Sequence, residues 1–294
     1  MNITILDIET TYRQLFDAPD AETRAAIFER EIAAPFAGLA QRFGGAGVFA
    51  QWGMSPEQFA GGDAALQAKP FATLVEYDAW RKAAQAVEDA RAAFEKYTDL
   101  SAVGDITFAL LLTQPFSYGG IDIGYSGFGA IPGSVMVTYS APTPENVRAV
   151  QAATAHEMHH QFVGWLSGQG AIISSLASYM INEGLAESFG AELYGADKVG
   201  PWVTAFDMSR LDETKARFRD AFDLSDFNTV RQYIFGDPIS GGFSGTDPIG
   251  IPAYAGYALG YHTVQAYMKR TGKSVVEATL VPPLEIIAES HFFA

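Results

Sequence analysis

Two stretches decide how this chain reads: HEMHH at residues 156–160 and MINEGLAESF at residues 180–189. On a helix, positions four apart lie about 40° apart around the axis and about 6 Å apart along it. His156 and His160 therefore face the same way and can grip one metal ion. Glu157 stands beside the pair, placed to reach a water on that ion without ligating it. Ala149, Ala152, Ala153 and Val163 fall on the histidine side of the same helix, a small apolar face suited to close packing. Two imidazoles and a carboxylate against such a face are costly unless something satisfies them. His159 also lies near that face, and it reads as a structural residue, either a hydrogen-bonded core histidine or a support behind the ligands.

A catalytic zinc usually takes three protein ligands and keeps one position for water. The second stretch offers the third ligand. Glu183 and Glu187 are four apart and share a stripe with Leu176, Tyr179 and Met180. Carboxylates in an apolar stripe call for a reason, and a metal with its histidines supplies one. Glu183, 23 residues after His160, is expected to ligate the ion. Glu187, one turn on, is expected to accept a hydrogen bond from the free ring nitrogen of a ligating histidine and hold it in orientation. The expected cofactor is one Zn2+ ion. H-E-x-x-H spacing occurs in unrelated proteins, but joined to the glutamate helix it is far more specific.

Working outward, residues 144–167 read as the histidine helix, with Thr143 as N-cap, Pro144 at the first position and a stop at Gly168-Gln169-Gly170. Residues 174–193 read as the glutamate helix. Upstream, DITFALLLT (105–113) and GSVMVTYS (133–140) read as strands. The first hundred residues read as helical, with a run at 21–43 stopped by Gly44-Gly45. The clearest amphipathic pattern is at 76–98, through Trp80, Ala83, Ala84, Val87, Ala90, Phe94 and Tyr97. Further helices are expected near 199–218, 224–234, 253–271 and 282–290. The Gly-rich segments 119–133 and 236–252 read as loops, either flanking the cleft or simply connecting. The expected class is α+β and mostly helical, with a small sheet packed against the histidine helix. Residues 1–100 are expected to form a helical N-terminal region and 101–294 the catalytic region, the two free to form one compact unit.

With 294 residues the chain has ample length for a core. Nineteen basic against thirty-four acidic residues leave a net charge of −15, which argues against nucleic acid and against an anionic membrane surface. The absence of cysteine excludes disulfides, thiolate metal sites and cysteine nucleophiles. No apolar run reaches the roughly 18 residues of a membrane span, so no stable membrane insertion is expected. The start, MNITILDIETTYRQLF, lacks a basic region followed by an apolar stretch. The expected location is cytoplasmic, with export after removal of a leader as the alternative. Oligomeric state is not legible.

HEMHH and Asn182-Glu183-Gly184-Leu185-Ala186-Glu187 together resemble the gluzincin clan of metallopeptidases, in which a helix bearing the histidines is followed by one bearing the glutamate ligand. With AGYALGYHTVQAYM (255–268) and EIIAESHF (285–292), the chain over roughly 100–294 is similar to the YjaZ-like family of predicted zinc-dependent proteases. The resemblance implies a gluzincin-like core and a peptide or protein substrate. It implies that GSVMVTYS presents its edge to an extended peptide. A transition-state donor, Tyr or His, is also implied. In zinc aminopeptidases a Tyr followed by Gly three residues later fills that role, a form matched by Tyr257 and Gly260, with Tyr261 and His262 in reserve. The aminopeptidase string G-A-M-E-N is absent, which leaves endopeptidase and exopeptidase action open.

The resulting expectation is a zinc peptidase in which Glu157 activates zinc-bound water and then protonates the leaving amine. A non-catalytic metal-binding helical protein is one alternative; its weakness is Glu157, which a structural site does not need. A zinc hydrolase of a non-peptide substrate is another.

Overall fold

The computed structural model describes residues 1–45, 47–114, 123–166, 175–244 and 247–294. At its centre lies a four-stranded sheet: β1 (Ile3–Ile5), β2 (Ile106–Leu112), β3 (Tyr125–Phe128) and β4 (Ser134–Tyr139), in the order β1-β2-β4-β3. β1, β2 and β4 run parallel, and β3 is antiparallel to β4. Parallel strands covered on both faces read as continuous apolar runs rather than alternation. ITFALLL and SVMVTY are such runs, buried at nearly every position. Both strands lie where the sequence placed them.

Periodicity reveals neither β1 nor β3. β1 has three residues, in the region expected to be wholly helical, and β3 has four, within the Gly-rich segment expected to be a loop. Segments this short become strands only through their partners. The sheet order corrects a further expectation. β4 is hydrogen-bonded to β2 on one side and β3 on the other, so it has no free edge to offer a peptide. β3 is the border strand, paired on one side among the described residues.

The helices that build the site are α1 (Ala79–Glu95), α2 (Val150–Leu166), α3 (Leu176–Tyr194), α4 (Pro201–Thr204), α5 (Ala255–Thr271), α6 (Val275–Thr279) and α7 (Pro283–Ser290). Thr143 does cap a helical turn with Pro144 at its first position, closed by a reciprocal bond with Asn146. That turn ends at Val147, and α2 begins separately at Val150. The expected stop at Gly168–Gly170 lies outside the described residues. α3 starts after its N-cap Ser175 and ends at Gly195. Residues 236–252 are not all loop, because Asp237–Ser244 is helical. The Gly236 carbonyl accepts both the backbone N–H and the hydroxyl of Ser240. The Asp237 carboxylate accepts N–H groups from Ile249, Gly250 and Ile251. These bonds override the local glycine and proline signal.

α2 packs against α1, α3 and β4, and α3 against α5. One apolar cluster runs from Ile8 to Phe293, so the first hundred residues share the core of the rest. The Tyr12 hydroxyl accepts the Leu112 N–H at 2.7 Å, and the Trp80 indole donates to the Leu110 carbonyl at 3.0 Å. Where α3 crosses α5, Gly184 faces Gly260. A Cβ on Gly184 would collide with the Gly260 backbone, and one on Gly260 with the Met180 carbonyl. This contact sets the depth of the helix that carries Glu183.

Alanine at position 260 would gain about 1 kcal/mol of helix propensity. The overlap, however, is with backbone, which cannot rotate away, and overpacking of this kind costs about 1–3 kcal/mol or more. Gly260→Ala is therefore expected to lose about 2 kcal/mol in urea unfolding. An unchanged midpoint would show that the two helices can separate freely.

Candidate metal centre

α2 and α3 bring three ligand atoms to one point. The Nε2 atoms of His156 and His160 are 3.0 Å apart. Oε2 of Glu183 lies 3.2 Å from the first and 3.5 Å from the second. All three residues are buried, none more than 9% exposed. His156, His160 and Glu183 thus form a group that could hold a metal ion. The donor set fits such an ion in two ways. Three ligands about 2.0–2.1 Å from a tetrahedral centre lie about 3.3 Å from one another, and the observed separations bracket that value. Two ring nitrogens turned on each other at 3.0 Å can share only one proton between them, so one presents a lone pair to the other; a cation satisfies both and the carboxylate as well.

Glu187 backs this triangle. Its Oε1 lies 3.1 Å from Nδ1 of His156, an ion-pair distance at an angle short of hydrogen-bond alignment. Its carboxylate also accepts the Gly200 N–H at 3.1 Å and the Trp202 indole N–H.

Glu157 points from the same helix toward the sheet border. A Cβ on Gly127 would collide with its carboxylate, and one on Gly129 with its backbone carbonyl. Bare backbone at these two positions is what lets β3 and its exit lie against α2. Gln161, one turn later, locks that approach. Its amide donates to the carbonyls of Gly129 at 2.5 Å and Ile131 at 2.8 Å, and its oxygen accepts the Gly133 N–H at 2.8 Å.

Burial raises the carboxyl of Glu157 above its ordinary range, although His156 and His160 pull it back. Burial acts the same way on Glu183, but there the charge of His160 and the bonds to both imidazoles win, taking it down to about 2. Neighbouring carboxylates pushed in opposite directions can fill different roles: one stays an anion facing the histidines, the other can carry a proton. For His156, burial disfavours the charged ring, yet the carboxylates of Glu183 and Glu187 beside it outweigh that and hold the pKa well above the ordinary value. His159 is the reverse case, pushed well below by burial. It sits between the rings of Phe94 and Phe189, with Nε2 2.9 Å from the Thr279 hydroxyl, a packing position.

Of the expected donor Tyr257 and its two reserves on α5, Tyr261 and His262, the structure brings the two tyrosines toward the cluster. Tyr257 packs against Trp202 and Phe235, and burial raises its phenol well above the ordinary value, with Glu183 the next cause and Glu157 also contributing. Tyr261 is raised by burial and then by Glu187. His262 instead stacks on Phe292, and burial lowers its pKa. Sequence spacing did not single out Trp202, Gln161, Gly127 or Gly129. Trp202 follows Glu187 by fifteen residues in an unrelated turn, and the others carry no motif. Tyr179 was read only as part of an apolar stripe, yet its phenol is raised by burial and by Glu183.

The shifts set a pH profile for the metal-free protein. Glu183 is depressed, so its contribution to stability is complete above about 4.5 and is lost as pH falls toward about 2. His156 is raised, so its contribution is complete below 6.5 and is lost as pH rises from there. Glu157, raised as well, has the same sign as His156, with its loss beginning at 4.5. In chelator, thermal midpoints are expected to fall on the alkaline side of neutrality, and this fall should shrink in His156→Gln. A flat alkaline limb would contradict the assignment.

Residues 79–288 match the family described as "Predicted Zn-dependent protease (DUF2268)". The chain is also similar to the uncharacterized protein YjfC of Bacillus subtilis, at 36% identity over 194 residues. That match covers 65% of this chain and 62% of YjfC, so the chain spans less than two thirds of the relative's length. No solved structure matches. With more than two thirds of its length matched, from the helix that packs behind the histidines to the last helix, the chain belongs to the DUF2268 family of predicted Zn-dependent proteases.

Proposed function

We propose that the chain is a zinc-dependent peptide-bond hydrolase of gluzincin type. The observation that carries this reading is the buried convergence of His156, His160 and Glu183, with a further carboxylate, Glu157, on the same helix turn and outside the ligand triangle. A purely structural site has no use for that fourth group. The family description agrees with it.

His156, His160 and Glu183 would hold one Zn2+. When bound, such an ion polarises the scissile carbonyl and acidifies a water. Glu157 takes the proton of the attacking water on its carboxylate, whose affinity for a proton burial raises, and returns it to the leaving amine nitrogen. Glu187 holds Nδ1 of His156 so that Nε2 keeps its lone pair turned inward. Tyr257, kept protonated by burial, donates to the oxygen that gains charge as the carbonyl becomes tetrahedral. The peptide lies along the border strand β3, whose backbone meets α2 at Glu157.

Metal analysis and peptide turnover test this. The purified protein is expected to carry one zinc per chain, and chelation should abolish turnover that zinc then restores. Glu157→Gln is expected to keep its zinc and lose turnover by about 10²–10⁴-fold. Equal turnover would retire the peptidase reading. Tyr257→Phe should lower kcat by about 10²–10³-fold with metal content unchanged; an unaltered kcat would remove the phenol from the mechanism.

A further inference from the structure

Glu187 is held from two sides, and only one of them belongs to the histidine cluster. α3 carries Glu187 below His156. From the other side come the Gly200 N–H and the Trp202 indole N–H, both donating to its carboxylate. These two donors belong to the turn that opens α4, which supplies no ligand. They take different oxygens: Gly200 bonds Oε2, while Trp202 bonds Oε1. Oε1 is also the atom that faces Nδ1 of His156 at 3.1 Å.

A carboxylate held at both oxygens cannot turn about its last bond. It presents one oxygen to Nδ1 of His156, and that oxygen can only accept. The imidazole proton then belongs on Nδ1, and the lone pair on Nε2, the atom that meets His160 and Glu183. The indole also lies against the imidazole itself, with centroids 6.1 Å apart, and touches Tyr125 of β3 and Tyr257 of α5. One side chain therefore joins Glu187, the His156 ring, the border strand and the expected donor helix.

We propose that Trp202 is a positioning residue for the metal centre: acting through Glu187, its indole N–H fixes His156 in the tautomer that turns Nε2 toward the ion. This rests on the zinc reading above. Its own role is separable, because Trp202 is not one of the ligands itself. Removing the donor while keeping an aromatic ring leaves Glu187 with the Gly200 amide alone. His156 then samples the other tautomer and other ring orientations, and the cost appears in zinc affinity. Outer-shell partners of a ligating histidine are typically worth about 10–100-fold in metal affinity.

The test uses the full chain. Zinc affinity is measured by competition with a chromophoric chelator for wild type and Trp202→Phe, with thermal unfolding of both metal-free proteins as the control on folding. Expected is a 10–100-fold weaker affinity in a folded variant. The Co2+-loaded variant should also show altered visible absorption, because the geometry around the ion changes. If Trp202→Phe does not fold, benzothienylalanine at position 202 replaces it, keeping the ring shape and removing only the N–H. Wild-type affinity together with an unchanged Co2+ spectrum in a folded variant would overturn the positioning role. If the wild type itself binds neither zinc nor Co2+, the metal reading fails and the positioning role falls with it. Normal binding by the wild type with no effect of the substitution defeats the positioning role alone.

Discussion

Five ionisable side chains, His156, Glu157, His160, Glu183 and Glu187, lie together in the interior of this protein, each at most 9% exposed. Burying charge without compensation costs more than a domain of this size can spare. The surrounding structure serves to meet that cost. The two imidazoles face each other and Glu183 at 3.0–3.5 Å. Glu187 backs His156, and the α4 turn backs Glu187. Protons can fill the centre of this arrangement, as the raised His156 indicates, but the spacing of the three inner atoms suits one divalent cation.

Holding two helices close enough for this convergence requires bare backbone. Gly184 meets Gly260 where α3 crosses α5, and Gly127 with Gly129 lets the sheet border touch α2 at Glu157. The two contacts serve different ends. The first fixes the depth of Glu183 beside the histidines. The second brings β3, paired on one side among the described residues, against Glu157, a carboxylate that the ligand group does not use. Gln161 strengthens the second, anchoring the β3–β4 connection to the histidine helix through the carbonyls of Gly129 and Ile131.

The N-terminal hundred residues are not a separate shell around this site. They supply β1, a border strand of the same sheet, and through Tyr12 and Trp80 they bond the backbone of β2. α1 lies behind α2, with Phe94 against His159. The family match begins at the start of α1, so its boundary falls inside the shared core rather than at a linker.

By itself the sequence determined what depends on spacing along one helix. Four-residue steps put His156 with His160 and Glu183 with Glu187, because helix geometry makes such neighbours whatever the rest of the chain does. The apolar runs of β2 and β4 were legible for the same local reason, as was Thr143 as the cap of a helical turn. Tertiary structure alone decided what depends on distant segments meeting. β1 and β3 are strands because of their partners, and the order of the sheet puts β4 inside it and, among the described residues, β1 and β3 at its borders. The helix at Asp237–Ser244 forms amid glycine and proline because distant amides close on Asp237. Trp202 reaches Glu187 through a turn that no motif marks, since hydrogen bonds across a fold leave no period in the chain.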